Sequence, residues 1–232
     1  MNLQRGKGSQ LMFRFVTSAI LGTLASTATA VEVDFAYPYD PHLEPPAAIE
    51  FFPAQLKPLW LQALATDEAD LQQEAALAIA KAHQKGVPGM ADTIPALVQL
   101  LEDPTRHPLV RRTVAQTLIV LDARQAAETL MRHAQEGGLD LALLIEPALA
   151  QWDYQPAQQM WLDRLATPDA SHARRILAID GLGQVRQQQA AEPLRQIVLD
   201  SHQTADERLH AAGALARIQT EGALEDARRL AA

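Results

Sequence analysis

The chain has no cysteine, few aromatics and more acid than base, and each shortage excludes a class of protein. Without cysteine there is no disulfide, thiolate nucleophile or thiolate metal site in its 232 residues. Aromatics make up 5% of the sequence against 48% hydrophobic residues overall, so any core is built mainly from Ala and Leu. Both are strong helix formers and suit closely packed helices. The balance of 20 basic against 28 acidic residues opposes binding to a phosphate backbone. No glycine-rich phosphate loop follows a strand pattern, and no Ser/His/Asp arrangement or isolated carboxylate pair stands out. The sequence therefore points away from an enzyme, and it implies no cofactor.

The first thirty residues differ from the rest. Arg5, Lys7 and Arg14 appear with no acid, an apolar run follows from Phe15 to Ala25, and Ala28-Thr29-Ala30 closes the stretch. A basic start, a short apolar run and a final Ala-x-Ala describe a cleavable export signal of the Sec type. The run is too short to span a bilayer comfortably, so no stable membrane insertion is expected after cleavage. Removing residues 1–30 leaves 17 basic and 28 acidic residues, a net of −11. The expected compartment is periplasmic or secreted, and nucleic acid is disfavoured as a partner.

Residues 31–53 hold five prolines, which forbid a continuous helix or a central strand. An extended arm is expected. Five of the nine aromatics beyond residue 30 lie in it, namely Phe35, Tyr37, Tyr39, Phe51 and Phe52. Packing of the arm over the first helices is the favoured reading, with a partner-docking peptide as the alternative.

From about residue 54 the chain repeats. A small residue and a Leu, then a large apolar residue, recur as Thr117-Leu118 with Leu121, Ala148-Leu149 with Trp152, Gly181-Leu182 with Val185 and Ala214-Leu215 with Ile218. The steps are 31, 33 and 33 residues. A period of this size signals an all-α solenoid of stacked helical hairpins, here about five and a half units over residues 54–232. Each unit opens with a first helix whose apolar residues fall on one face, as in Trp60-Leu61 with Leu64 and Trp161-Leu162 with Leu165. By register Trp60, Trp152 and Trp161 belong to the core. Pro147 falls inside the expected second helix of the third unit, and a single helix over residues 221–232 forms the half unit. The recurring small residues are expected to let the two helices of a hairpin approach closely.

The best unit runs Asp206-Glu207-Arg208-Leu209-His210-Ala211-Ala212-Gly213-Ala214-Leu215-Ala216-Arg217-Ile218, with weaker copies from His172 and Leu109. It resembles the HEAT-repeat family, particularly the short bacterial repeats also found in phycobilin lyases. The resemblance covers residues 54–232 and implies a fold far more than a function. Arg111, Arg175 and Arg208 share a repeat position. The resemblance implies an inter-repeat structural ladder, with loop acids such as Asp103, Asp169, Asp200 or Asp206 as expected partners.

Of seven histidines, none precedes a Glu, which sets aside an iron-binding HEAT-like hydroxylase. His172 and His202 offer two metal ligands at most, and no metal site is expected. The function expected is a non-catalytic, protein-binding scaffold outside the cytoplasm, with its partner on the concave face of the second helices. Gln116, Asp180 and His210 are the candidate binding residues. A lyase or chaperone acting on a pigment- or cofactor-bearing partner is the alternative. A DNA-binding array is disfavoured by charge.

Overall fold

The computed structural model describes residues 53, 55–167 and 169–219, all within one compact unit spanning Glu50–Ala232. The expected export signal, the expected arm up to residue 52 and the expected final half unit lie outside the described residues. Among those described there are ten α-helices and no strand. In chain order they are α1 (Leu56–Leu64), α2 (Ala69–Gln84), α3 (Ile94–Glu102), α4 (Pro108–Val120), α5 (Ala127–Glu136), α6 (Leu139–Gln151), α7 (Gln155–Ala166), α8 (His172–Gln184), α9 (Ala191–Leu199) and α10 (Ala205–Ile218). They pair as five hairpins, and each second helix packs on the next, giving the row α2, α4, α6, α8, α10. This is an α-solenoid. Short 3₁₀ turns lead into α3, α5 and α9, a detail the sequence period did not announce.

The core runs continuously through the hairpins. Leu97, Leu101, Leu118, Leu130, Leu149, Trp161, Leu182 and Leu194 have no exposed surface. Trp152 is also buried, and Trp60 packs against the core at its edge. Pro147 lies within α6, which begins at Leu139 immediately after the Gly137-Gly138 turn. The proline neither delays nor ends the helix; it removes one backbone donor from it.

Four second helices end in the same way. Residues Gly86, Asp122, Asp153 and Arg186 have φ of 76, 49, 53 and 55°. Around each, two backbone bonds close the helix, as in Ala123 N–H to the Leu118 carbonyl and Asp122 N–H to the Ile119 carbonyl. Tyr154 and Asp153 repeat the pair on Leu149 and Ala150, and Gln187 and Arg186 on Leu182 and Gly183. This is the Schellman ending, which satisfies carbonyls left over at a helix C-terminus. Only the first copy uses glycine. The other three place a side-chain-bearing residue in the left-handed region, at a steric cost.

The first helices end differently. Asp103 accepts from Thr105 N–H and Arg106 Nε, and Asp200 accepts from His202 N–H and Gln203 Nε2. These two acids are 97 residues apart, the sum of 31, 33 and 33. Hydrogen bonds, led by Thr105 for the first and Gln203 for the second, hold both carboxyls below the usual aspartate range.

The recurring small residues do not all serve the contact expected of them. Gly181 faces Trp161 of its own hairpin, where a Cβ would lie 2.9 Å from the indole ring. Thr117 instead reaches the neighbouring repeat, its hydroxyl donating to the Ala76 carbonyl of α2 at 3.0 Å. Ala214 also meets the neighbouring repeat, because a Cβ on Gly183 of α8 would lie 2.6 Å from its own. So this position governs the spacing between repeats as well as within a hairpin.

Candidate functional site

Side chains from second helices finish the exposed carbonyl ends of first helices. Gln72 of α2 donates to the Leu64 and Thr66 carbonyls at the end of α1. Arg208 of α10 donates to the Val198 carbonyl of α9 at 3.0 Å. Arg174 of α8 crosses to the preceding repeat and reaches the Ala134 carbonyl of α5 at 3.1 Å and that of Gln135 at 3.4 Å. A helix C-terminus carries partial negative charge, so a guanidinium there is favourable. Arg175 of α8 points the other way along the array, with Nε 3.4 Å from Glu207 Oε1 and a second nitrogen donating to Gln203.

The expected arginine ladder is therefore corrected in its partners. Arg175 meets Glu207 and Gln203 rather than a loop aspartate, and Arg208 hydrogen-bonds a helix-end carbonyl while its charge also acts on the expected Asp200. The loop acids are engaged elsewhere: Asp103 with Arg106, Asp200 with Gln203, and Asp206 with His172. A carbonyl end is fixed by the backbone, whereas Asp103 and Asp200 are taken by donors in their own turns and Asp206, at the start of α10, by a histidine of the neighbouring repeat. The Nε of Arg111, like that of Arg175, is buried without a hydrogen bond. Arg111 lines a pocket of about 410 Å³ with Arg132, His133, Glu102 and Glu136. Burial, then the charges of Arg132 and Arg111, hold the His133 imidazole below its ordinary value.

A buried polar network joins the third and fourth hairpins, and sequence reasoning missed it. Glu146 of α6 is 1% exposed. Its two oxygens accept from Arg164 of α7 at 2.7 and 2.9 Å, and Trp161 Nε1 donates to it at 2.8 Å. Arg164 also donates to the Arg174 carbonyl at 3.0 Å. The arrangement is a two-pronged guanidinium–carboxylate pair with each buried oxygen satisfied. A Glu between Ile145 and Pro147 looks like any exposed helical acid, so no local signal marks it.

Of the three candidate binding residues, the structure brings Asp180 and His210 together and leaves Gln116 apart. His210 Nδ1 lies 2.9 Å from Asp180 Oδ1, across the contact of α8 with α10. His172 Nε2 lies 3.1 Å from Asp206 Oδ2, and its Nδ1 lies 3.3 Å from Glu207 Oε1. Gln116 is exposed on α4, two hairpins earlier. His172 is thus engaged by carboxylates of α10, and His202 lies in the turn capped by Asp200. Among the described residues no three His, Cys, Asp or Glu side chains converge as metal ligands.

Asp180 and His210 help line a groove of about 740 Å³ between α8 and α10. Arg186, Arg217, Leu209 and Gly213 also line it. More broadly, six of the eight large apolar side chains exposed among the described residues belong to second helices: Leu71, Leu77, Leu109, Leu139, Leu143 and Leu209. Leu143 and Leu209 share one register position with Ile176 midway between them, in steps of 33 residues. The second-helix face therefore carries an interrupted apolar row beside charged side chains. No described helix is long and apolar enough to cross a membrane.

The comparison with known families agrees with this architecture. Residues 58–143, which cover α1 to α5 and the start of α6, match the family described as HEAT repeats. No curated protein matches the chain.

Proposed function

From the premise that this chain carries HEAT repeats, a helical protein-interaction fold, we propose that it is a non-catalytic scaffold working outside the cytoplasm, holding a protein partner on its second-helix face. The observation that carries the reading is the concentration of exposed leucines on second helices, at 52% exposure for Leu143 and 71% for Leu209. Apolar side chains repeated along one face, rimmed by charge, mark a surface made for association. The export-type start, with Arg5, Lys7 and Arg14 before an apolar run ending Ala28-Thr29-Ala30, supports the compartment.

Two measurements test the proposal. Mass spectrometry of the protein isolated from its native cells should find Val31 at the N-terminus in an extracytoplasmic fraction; an intact Met1 on a cytoplasmic product defeats the compartment. Chain lacking residues 1–30 should capture a partner from that fraction, and Leu143→Glu should weaken the capture without lowering the melting temperature. Leu143 is exposed, so its replacement leaves the core intact. Unchanged capture would move the binding surface off this face.

A further inference from the structure

The groove between α8 and α10 differs from the rest of the chain in charge. Its formal charges are the guanidiniums of Arg186 and Arg217 and the carboxylate of Asp180, a balance of +1 in a chain of net −8. The Asp180 carboxylate is already engaged by His210. The side chains of Arg186 and Arg217 are exposed and make no hydrogen bond or ion pair among the described residues. Leu209 stands beside them at 71% exposure. Gly213 leaves the centre bare, because a Cβ there would meet nothing within 4 Å. Glycine in a helix interior is less favourable than alanine, and here no packing contact accounts for it. Its effect is space at the groove's centre.

We propose that this groove receives an acidic, amphipathic segment of a partner protein. The segment's carboxylates would lie toward Arg186 and Arg217, and an apolar side chain would lie on Leu209 over Gly213. Arginine forks pair well with carboxylates, and the +1 lining attracts them against the chain's overall repulsion. The volume of about 740 Å³ suits a few side chains rather than a whole domain. The proposal rests on the second-helix reading above and names the chemistry of its occupant.

Fluorescence anisotropy with a labelled peptide of about a dozen alternating Leu-Leu and Glu-Glu pairs tests it, beside peptides in which Gln or Lys replaces Glu. The acidic peptide should bind the chain lacking residues 1–30, more weakly as salt rises, and the Gln peptide at least about tenfold less tightly. Arg186→Gln with Arg217→Gln should cost a similar factor. Gly213→Leu should abolish binding while holding or raising the melting temperature, so lost binding cannot be blamed on unfolding. Equal binding of all three peptides, or binding that survives Gly213→Leu, overturns the proposal. So does arginine-dependent binding to phosphatidylglycerol vesicles without peptide binding, or self-association that Gly213→Leu removes. If the peptide fails while Leu143→Glu still weakens partner capture, the groove assignment falls and the second-helix reading stands; failure of both removes both.

Discussion

The junction of the third and fourth hairpins and the junction of the fourth and fifth share a backbone plan but differ in what brings their helices together. The earlier junction is closed by charge out of water: Glu146, Arg164 and Trp161, with Glu146 at 1% exposure. The later one is closed by the absence of a side chain, because Gly183 lets α8 approach the Ala214 backbone of α10. Of its polar pairs, Arg175 with Glu207 is largely buried, while His210 with Asp180 and His172 with Asp206 stay in solvent and contribute little. A repeat fold requires only that neighbours fit, and the chemistry of the fit is free to differ. The later junction is also the one with a groove, lined by the exposed His210–Asp180 pair and by Gly213, which adds no side chain to fill it.

Breaking the buried network should have the largest effect. Glu146→Ala leaves a guanidinium and an indole N–H without their acceptor, and should cost about 3–5 kcal/mol in urea unfolding. Replacing Glu146 and Arg164 together by Leu and Met should recover most of that loss. If the double variant is as unstable as the single one, packing and not charge holds this junction.

Next in size is the close approach at the other junction. Gly183→Val places a Cβ about where Ala214 already stands and should cost about 1–3 kcal/mol. Gly213→Ala, one residue before Ala214 but facing open space, should instead stabilise by up to about 1 kcal/mol. Equal effects of the two substitutions would contradict the contact geometry.

The helix endings offer a smaller effect of the opposite sign. Asp122 holds φ 49° with only an exposed pairing to Arg124. Asp122→Gly removes the steric cost of that conformation and should raise stability by about 0.5–1 kcal/mol, less the entropy that glycine adds to the unfolded chain. A clear loss of stability would mean that the Asp122 side chain contributes more than its geometry shows.

The smallest effect is a pH dependence centred on His133. Its folded value is depressed, so the unfolded chain takes up the proton first as pH falls. Its contribution is complete above about 6.5, falls as pH drops below that, and is gone below the folded value. His133→Gln should flatten this part of the stability–pH curve. An unchanged curve would place the dependence on another group.

How much was legible follows from which contacts are local. The hairpin period and the buried Trp152 and Trp161 came from spacing, because one helical face repeats every turn. The arginine ladder was legible as a position but not in its partners. Arg174 reaches 40 residues back to Ala134, and no sequence rule says which carbonyl a long side chain will meet. Asp180 and His210 were picked out singly, and their pairing 30 residues apart appeared only in the fold.

The sequence by itself determined that this chain is a helical repeat array and that its core is built mainly from Leu and Ala. Those properties follow from periodicity and composition, which act within a turn or a unit. Tertiary structure alone decided that Glu146 is buried and charged, that Gly183 touches Ala214 while Gly213 touches nothing, and that Arg186 and Arg217 share a groove. Such facts depend on the offset and separation of neighbouring helices. Shifts of an ångström there turn an exposed acid into a core ion pair, and a repeat period measured in residues does not resolve distances that small.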